Sequence, residues 1–400
     1  MRPQLRTGLI LVVTVALLAF FLRSANLGAV WVELRRADAV PIVWSLLAMV
    51  VVYALRAVRW QFLLRPIGGA GFGIALRATV IGFAISALLP ARPGEAVRPY
   101  LLARREGLNF TSVLATILIE RILDLSAVLL LFASFVLLFD PGMQAADARL
   151  YDAVKLGGTV AAVVALATLA LMSVLAGHPA RLGRMVLAVQ RVLPARFVHA
   201  VARIFERFAG GLAATRNPRD ILTALALSMP VWLAIAASVW FVARAFHMTV
   251  PFTGSFLLMT LLVVGVAVPT PGGVGGFHEA FRLGATAFYG VNNDRAVGCA
   301  IALHASQFVP VVIAGLAFMA QEGLTFGSVS GLAAEPRPTT DGDVGAPSDR
   351  RGVPDTGQIE ESARRAERGV AGAGGAASAE ASASLAEAQR RPGAPAHIKK

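Results

Sequence analysis

The chain has 400 residues, of which 56% are hydrophobic and 15% charged, with a mean hydropathy of +0.67. That composition excludes an ordinary soluble enzyme and predicts an all-α, polytopic helical membrane protein. The net charge of +13 would suggest nucleic acid in a soluble chain, but the arginines gather in particular loops, as cytoplasmic loops do, so no nucleic-acid partner is expected.

Arg2 and Arg6 precede an apolar run from Gly8 to Leu22. It reads as a retained first span with a cytoplasmic N-terminus. A cleaved signal peptide is the competing reading, but Arg23 stands where small residues should allow cleavage. A polar link leads to a second span, Pro41 to Val58, with Arg56, Arg59, Arg65 and Arg77 gathered at its far end. Glycines 68, 69, 71 and 73 predict a bend.

Ile74 to Leu89 is an apolar half-span that stops at Pro90-Ala91-Arg92-Pro93-Gly94-Glu95. A helix cannot run smoothly through Pro90 and Pro93, because each lacks a backbone donor and clashes with the preceding turn. The freed peptide groups cannot face hydrocarbon, so they must face protein or a watery cavity. Arg98, Arg104, Arg105 and Glu106 are then too polar for lipid, and the segment is expected to return to the side it left.

Val113 to Phe139 is the third span and carries Glu120, Arg121 and Asp124. Glu120 lies about 10 Å beyond Val113 at 1.5 Å per residue, deep in a core about 30 Å thick. Asp140-Pro141-Gly142 ends this helix, and the following loop, with Asp147 and Asp152, is placed outside. A fourth span, Leu156 to Ala176, returns inward. Residues 178–219 hold a run of arginines between apolar residues at near-helical spacing. They read as basic amphipathic helices on the anionic cytoplasmic leaflet, or as a connecting helix with a solvated face.

A fifth span, Ile221 to Phe241, goes outward. Phe252 to Val268 is a second apolar half-span, ending at Pro269-Thr270-Pro271-Gly272-Gly273-Val274-Gly275-Gly276-Phe277-His278-Glu279. The last span is Ala296 to Ala320. Residues 1–322 are thus read as one membrane domain. Residues 323–400, rich in Ala, Gly, Pro, Ser, Glu and Arg, are read as a low-complexity, disordered tail.

The two breaks resemble one another. Each puts Pro, then Pro-Gly, after an apolar half-span, with a glutamate behind it and a full span on either side. Orienting the loops by their arginines makes the unit around Pro90 run opposite to the unit around Pro269. The expected architecture is about six full spans plus two re-entrant broken hairpins in inverted repeat, with both termini cytoplasmic. Interrupted apolar segments at matching positions of two halves point to a transport site at the bilayer midplane.

Glu120 and Asp124 are four apart and share a helix face, and Arg121 can pair with Asp124. They either tie helices together as an ion pair or line a polar path. Arg92 and Arg98 are candidate phosphate ligands, since a guanidinium matches phosphate oxygens bidentately, or plain positive-inside anchors. Glu95 and Glu279 could pair with a cationic headgroup or with those arginines. Gly272, Gly273, Gly275 and Gly276 allow close helix packing or free amides for anionic oxygen. His278 reads as a packing residue rather than a proton relay. The single cysteine, Cys299, excludes a disulfide framework, and six scattered histidines show no metal spacing. There is no Walker loop or dinucleotide fingerprint, so no cofactor is expected.

Three stretches carry a family resemblance: Leu89-Pro90-Ala91-Arg92-Pro93-Gly94-Glu95 with Arg98; Glu120-Arg121-Ile122-Leu123-Asp124; and Pro269-Thr270-Pro271-Gly272-Gly273-Val274-Gly275 with Glu279. In this order and hydrophobic frame, residues 5–322 resemble the flippase-like transmembrane domain of lysylphosphatidylglycerol synthases, the multiple peptide resistance factor family. The resemblance implies a bacterial inner-membrane protein that moves or handles a phospholipid or other lipid-linked headgroup between leaflets. In two-part members a soluble aminoacyl-transferase domain follows. The stretch after Glu322 does not look like one, so synthase activity is not expected.

The implied site has Arg92, Arg98 and Arg121 meeting phosphate. Glu95, Glu120, Asp124 and Glu279 then meet the headgroup or hold the arginines. The alternatives are an accessory or scaffold protein for a lipid-modifying or glycolipid-synthesis enzyme and, third, a membrane transferase acting on a lipid-linked substrate.

Overall fold

Long apolar runs leave the backbone one way to satisfy its own polar groups in lipid, which is to coil into helices. The computed structural model describes residues 3–23, 25–89, 92–138, 148–177, 218–268 and 270–324, all within the first of two compact units, Met1–Pro336. Pro90, Pro269, the arginine-rich residues 178–217 and the tail from 325 onward lie outside the described residues.

Eleven α-helices and no β-strand occur among the described residues. They are α1 (Pro3–Leu22), α2 (Leu27–Arg36), α3 (Ala39–Leu64), α4 (Phe72–Leu88), α5 (Gly94–Glu106), α6 (Phe110–Leu138), α7 (Ala148–Gly177), α8 (Pro218–Ala245), α9 (Gly254–Val266), α10 (Gly276–Tyr289) and α11 (Asn293–Gln321). Among the described residues, five helices are long and apolar enough to cross a bilayer, or six if α1 and α2, bent by 81° at their junction, count as one. The chain is therefore an all-α polytopic membrane protein.

Helices α3–α6 and α8–α11 repeat one pattern: a long helix, two short ones forming a hairpin, and a second long helix. The hairpin ends are built alike. Helix α5 stops at Gly107 with φ 65°, and Asn109 then accepts from the amides of Thr111 and Ser112 at the start of α6. Helix α10 stops at Gly290 with φ 62°, and Asn292 accepts from the Asp294 amide to start α11. The left-handed conformation ends each helix on glycine, and the asparagine caps the next one.

The two units run in opposite directions. Ser45 and Ser238 share a 2.8 Å hydrogen bond, and Arg59 donates to Ser228 at 2.9 Å. Position rises along α3 as it falls along α8, so these equivalent helices pack antiparallel. An axis along the membrane normal would leave equivalent helices parallel, so the repeat is inverted. The packing is reciprocal as well: α4 lies against α11, and α9 lies against α6.

Within each hairpin, glycines bring the arms into backbone contact. A Cβ on Gly94 would overlap the Gly82 carbonyl oxygen, and one on Gly265 would overlap that of Gly276. The apolar core divides accordingly. One cluster, around Trp60, Ile81, Leu102 and Leu123, supports the first hairpin. The other, around Phe246, Leu258, Phe281 and Cys299, supports the second.

Candidate functional site

Six ionisable side chains meet where α3, α5 and α6 converge. Arg98 donates to both oxygens of Glu120, at 2.7 and 3.0 Å. Arg59 lies 3.3 Å from Glu120 and 2.5 Å from Asp124. Arg56 lies 3.4 Å from Asp124 and 3.8 Å from Glu120. Arg121 is more distant, at 4.0 Å from Asp124. Trp232, on α8, donates its indole N–H to Asp124 at 2.9 Å. Trp60 lies under Arg98, with the guanidinium carbon 3.9 Å from the ring centroid, and hands its own N–H to Thr116.

Arg59 and Glu120 are fully buried, and Arg98 and Asp124 nearly so. An unpaired charge in hydrocarbon costs about 3 kcal/mol or more. Here each carboxylate is shared among several guanidiniums, so the two acids hold the arginines in place.

Beside this cluster, and between the two hairpins, lies a cavity of about 230 Å³. One water needs only ~10–15 Å³, so the space is many times that of a single water. Among the described residues, Arg56, Arg92, Arg98 and Arg121 line it, against a single carboxylate, Glu95. Tyr53, Phe83, Ser86, Thr270, Gln307 and Phe308 complete the polar and aromatic wall.

The tips of the hairpins meet at this cavity. Arg92 sits at φ 52°, a left-handed conformation uncommon outside glycine, and its guanidinium donates to the Val266 carbonyl at the end of α9. The last carbonyls of a helix lack intrahelical partners, and a cation suits them. On the second tip, Gly272 at φ 59°, Gly273 at φ 69° and Gly275 at φ 88° turn the chain after Pro271. The Gly272 carbonyl faces the His304 ring at 2.9 Å.

The structure thus brings Arg92, Glu95, Arg98 and Arg121 to one cavity, with Gly94, Gly272 and Gly273 shaping its wall. Pro93 immediately precedes α5. Glu120 and Asp124 lie behind the wall rather than on it. Glu279 stays outside the cavity lining, and Arg282, three residues on, takes both its oxygens at 2.5 and 2.8 Å. Arg121 lies 3.9 Å from Glu95.

Sequence reasoning missed Arg56 and Arg59 as members of the cluster, having placed them only in the basic group at the far end of the second span. It also missed Trp60, Trp232 and Gln307. Asp124 and Trp232 are 108 residues apart, and no local signal joins them.

A family described as the lysylphosphatidylglycerol synthase TM region matches residues 8–315. A curated relative, "Glycosyltransferase AglD" of Haloferax volcanii, is 26% identical over 344 residues, which is 80% of this chain and 54% of the relative. The chain spans about half the length of that relative.

Proposed function

The chain belongs to the lysylphosphatidylglycerol synthase transmembrane-region family, and from that premise we propose that it translocates a phosphate-bearing lipid headgroup between leaflets. The headgroup enters the cavity between the two hairpins while its acyl chains stay in the bilayer. The observation that carries this reading is the wall of four guanidiniums facing one carboxylate, beside helices that otherwise suit lipid.

Guanidiniums pair bidentately with phosphate oxygens. Those of Arg56 and Arg98 are pre-oriented by the buried acids, so little ordering remains when phosphate arrives. The inverted repeat supports alternating access, with one hairpin and its long helices rocking against the other around a fixed site. In this reading residues 1–322 are the transport domain of an inner-membrane protein with both termini in the cytoplasm. The arginines of residues 178–219 supply the charge that an anionic leaflet attracts.

The test is lipid translocation in vesicles reconstituted with the purified chain. Losing charge-assisted hydrogen bonds worth about 1.5–3 kcal/mol each should slow translocation at least about tenfold in the Arg98→Gln, Arg121→Gln double variant. Unchanged translocation by a well-folded double variant overturns the reading.

A second reading draws on the name of the relative. The region would serve as the membrane partner of an enzyme acting on a lipid-linked sugar. It predicts that the double variant loses glycolipid synthesis in cells while vesicles containing wild-type chain show no translocation.

A further inference from the structure

The carboxylates of the site are already engaged. Glu120 receives Arg98 on both oxygens, with Arg59 close by, and Asp124 receives Arg59, Trp232 and Arg56. Neither lines the cavity, and Glu95 shares its charge with Arg121. An ammonium entering this space would meet four guanidiniums and one shared carboxylate.

The hydrogen-bonding inventory points the same way. Among the described residues lining the cavity, the buried side-chain nitrogens without a protein partner are Nε of Arg98, Nε of Arg121 and Nε2 of Gln307. All are N–H donors, and they ask for acceptor oxygens. An ammonium is donor-only. The wall is also graded. Arginines occupy the α3, α5 and α6 side, while Gln307 and Phe308 of α11 occupy another. An amide beside an aromatic face suits hydroxyl groups on a carbon skeleton, with the ring covering C–H surface and the amide reading oxygen.

We infer that this site selects a headgroup built from a phosphate joined to a neutral polyol, and rejects one that carries an ammonium, with Gln307 reading the polyol. The inference rests on the transport reading above and narrows its substrate. The polyol could be an open glycerol or a ring such as a sugar, which share this chemistry.

The test is native mass spectrometry of the purified full chain in mixed micelles holding phosphatidylglycerol, phosphatidylinositol, phosphatidate and lysylphosphatidylglycerol. The polyol phosphates should be retained at least about tenfold over the lysylated lipid, since like charge and unmatched donors both oppose the latter. Whichever of the glycerol and inositol lipids dominates identifies the polyol. Gln307→Leu should lower polyol-lipid retention to the level of phosphatidate and leave phosphatidate retention unchanged. Equal or stronger retention of lysylphosphatidylglycerol by the wild type overturns the inference, and this arm needs no variant to fold. If translocation persists in vesicles while the lysylated lipid is favoured, only this inference falls. If the wild type retains no phospholipid and moves none, the transport reading falls with it.

Discussion

Arg98 and Glu120 face each other through two parallel hydrogen bonds of 2.7 and 3.0 Å, with Arg98 only 2% exposed and Glu120 fully buried. The pair is not isolated, because Glu120 also lies within reach of Arg59 and Arg56. Removing one partner of a buried pair typically costs about 3–5 kcal/mol, because the other charge is left uncompensated. Glu120→Gln strands several guanidiniums, whereas Arg98→Gln strands one acid that keeps Arg59. The glutamate variant should therefore be the less stable of the two. Thermal unfolding in detergent checks the order, and equal losses would mean that Glu120 holds Arg98 alone.

The hairpin glycines give a steric prediction. At Gly94 a Cβ would overlap the Gly82 carbonyl, which is backbone and cannot rotate away. Gly94→Ala should force the arms of the first hairpin apart and lower stability by at least the ~1–3 kcal/mol typical of overpacking. Gly73 lies in the same hairpin with nothing near its Cβ position, so Gly73→Ala should be neutral or slightly stabilising. Melting temperatures of the two variants, compared side by side, check this. A tolerated Gly94→Ala would contradict the close approach.

Much of the fold could be read in advance because its signals are local. Each long helix is built on a long, mostly apolar run, and each hairpin tip announces itself by clustered Pro and Gly. The inverted repeat rested on one short motif, yet a second mark was present: Gly107-Leu108-Asn109 and Gly290-Val291-Asn292 end and restart helices at matching places. The site was less legible. Arg56 and Arg59 follow an apolar run, which is where positive-inside residues also stand. Only the packing of α3 against α6 turns Arg59 toward Asp124, 65 residues away. Glu279 looked like a ligand by position. The arginine three residues later was the available clue that it would be neutralised within its own helix.

Antiparallel packing of α3 and α8 can be tested by cross-linking. The Ser45 and Ser238 hydroxyl oxygens are 2.8 Å apart, so paired cysteines there should bridge on mild oxidation. The native Cys299 is buried and will not compete. In a parallel arrangement Ser45 would instead neighbour the start of α8, near Ser228. Gel mobility after oxidation should show an intramolecular bridge for Ser45→Cys with Ser238→Cys. It should show none for Ser45→Cys with Ser228→Cys. The reverse pattern would make the two units parallel repeats and remove the structural basis for alternating access.

Sidedness follows from the same inversion. Asp38, exposed in the turn before α3, donates its amide to the Ala245 carbonyl at the end of α8, so these two helix ends share one face. Arg104 is exposed near the end of α5, where the neighbouring Arg105 pairs with Glu322 after α11. Between these places α3 runs 26 residues, or about 39 Å at 1.5 Å per residue, enough to cross a bilayer with some tilt. The hairpin then begins and ends on the far face. Asp38→Cys and Arg104→Cys should therefore react with a membrane-impermeant maleimide from opposite sides. The arginine bias places Arg104 in the cytoplasm, so intact cells should label Asp38→Cys, and Arg104→Cys should label only after the membrane is opened. Labelling of both from outside would mean that α4 and α5 do not turn back, and that the first hairpin is not re-entrant.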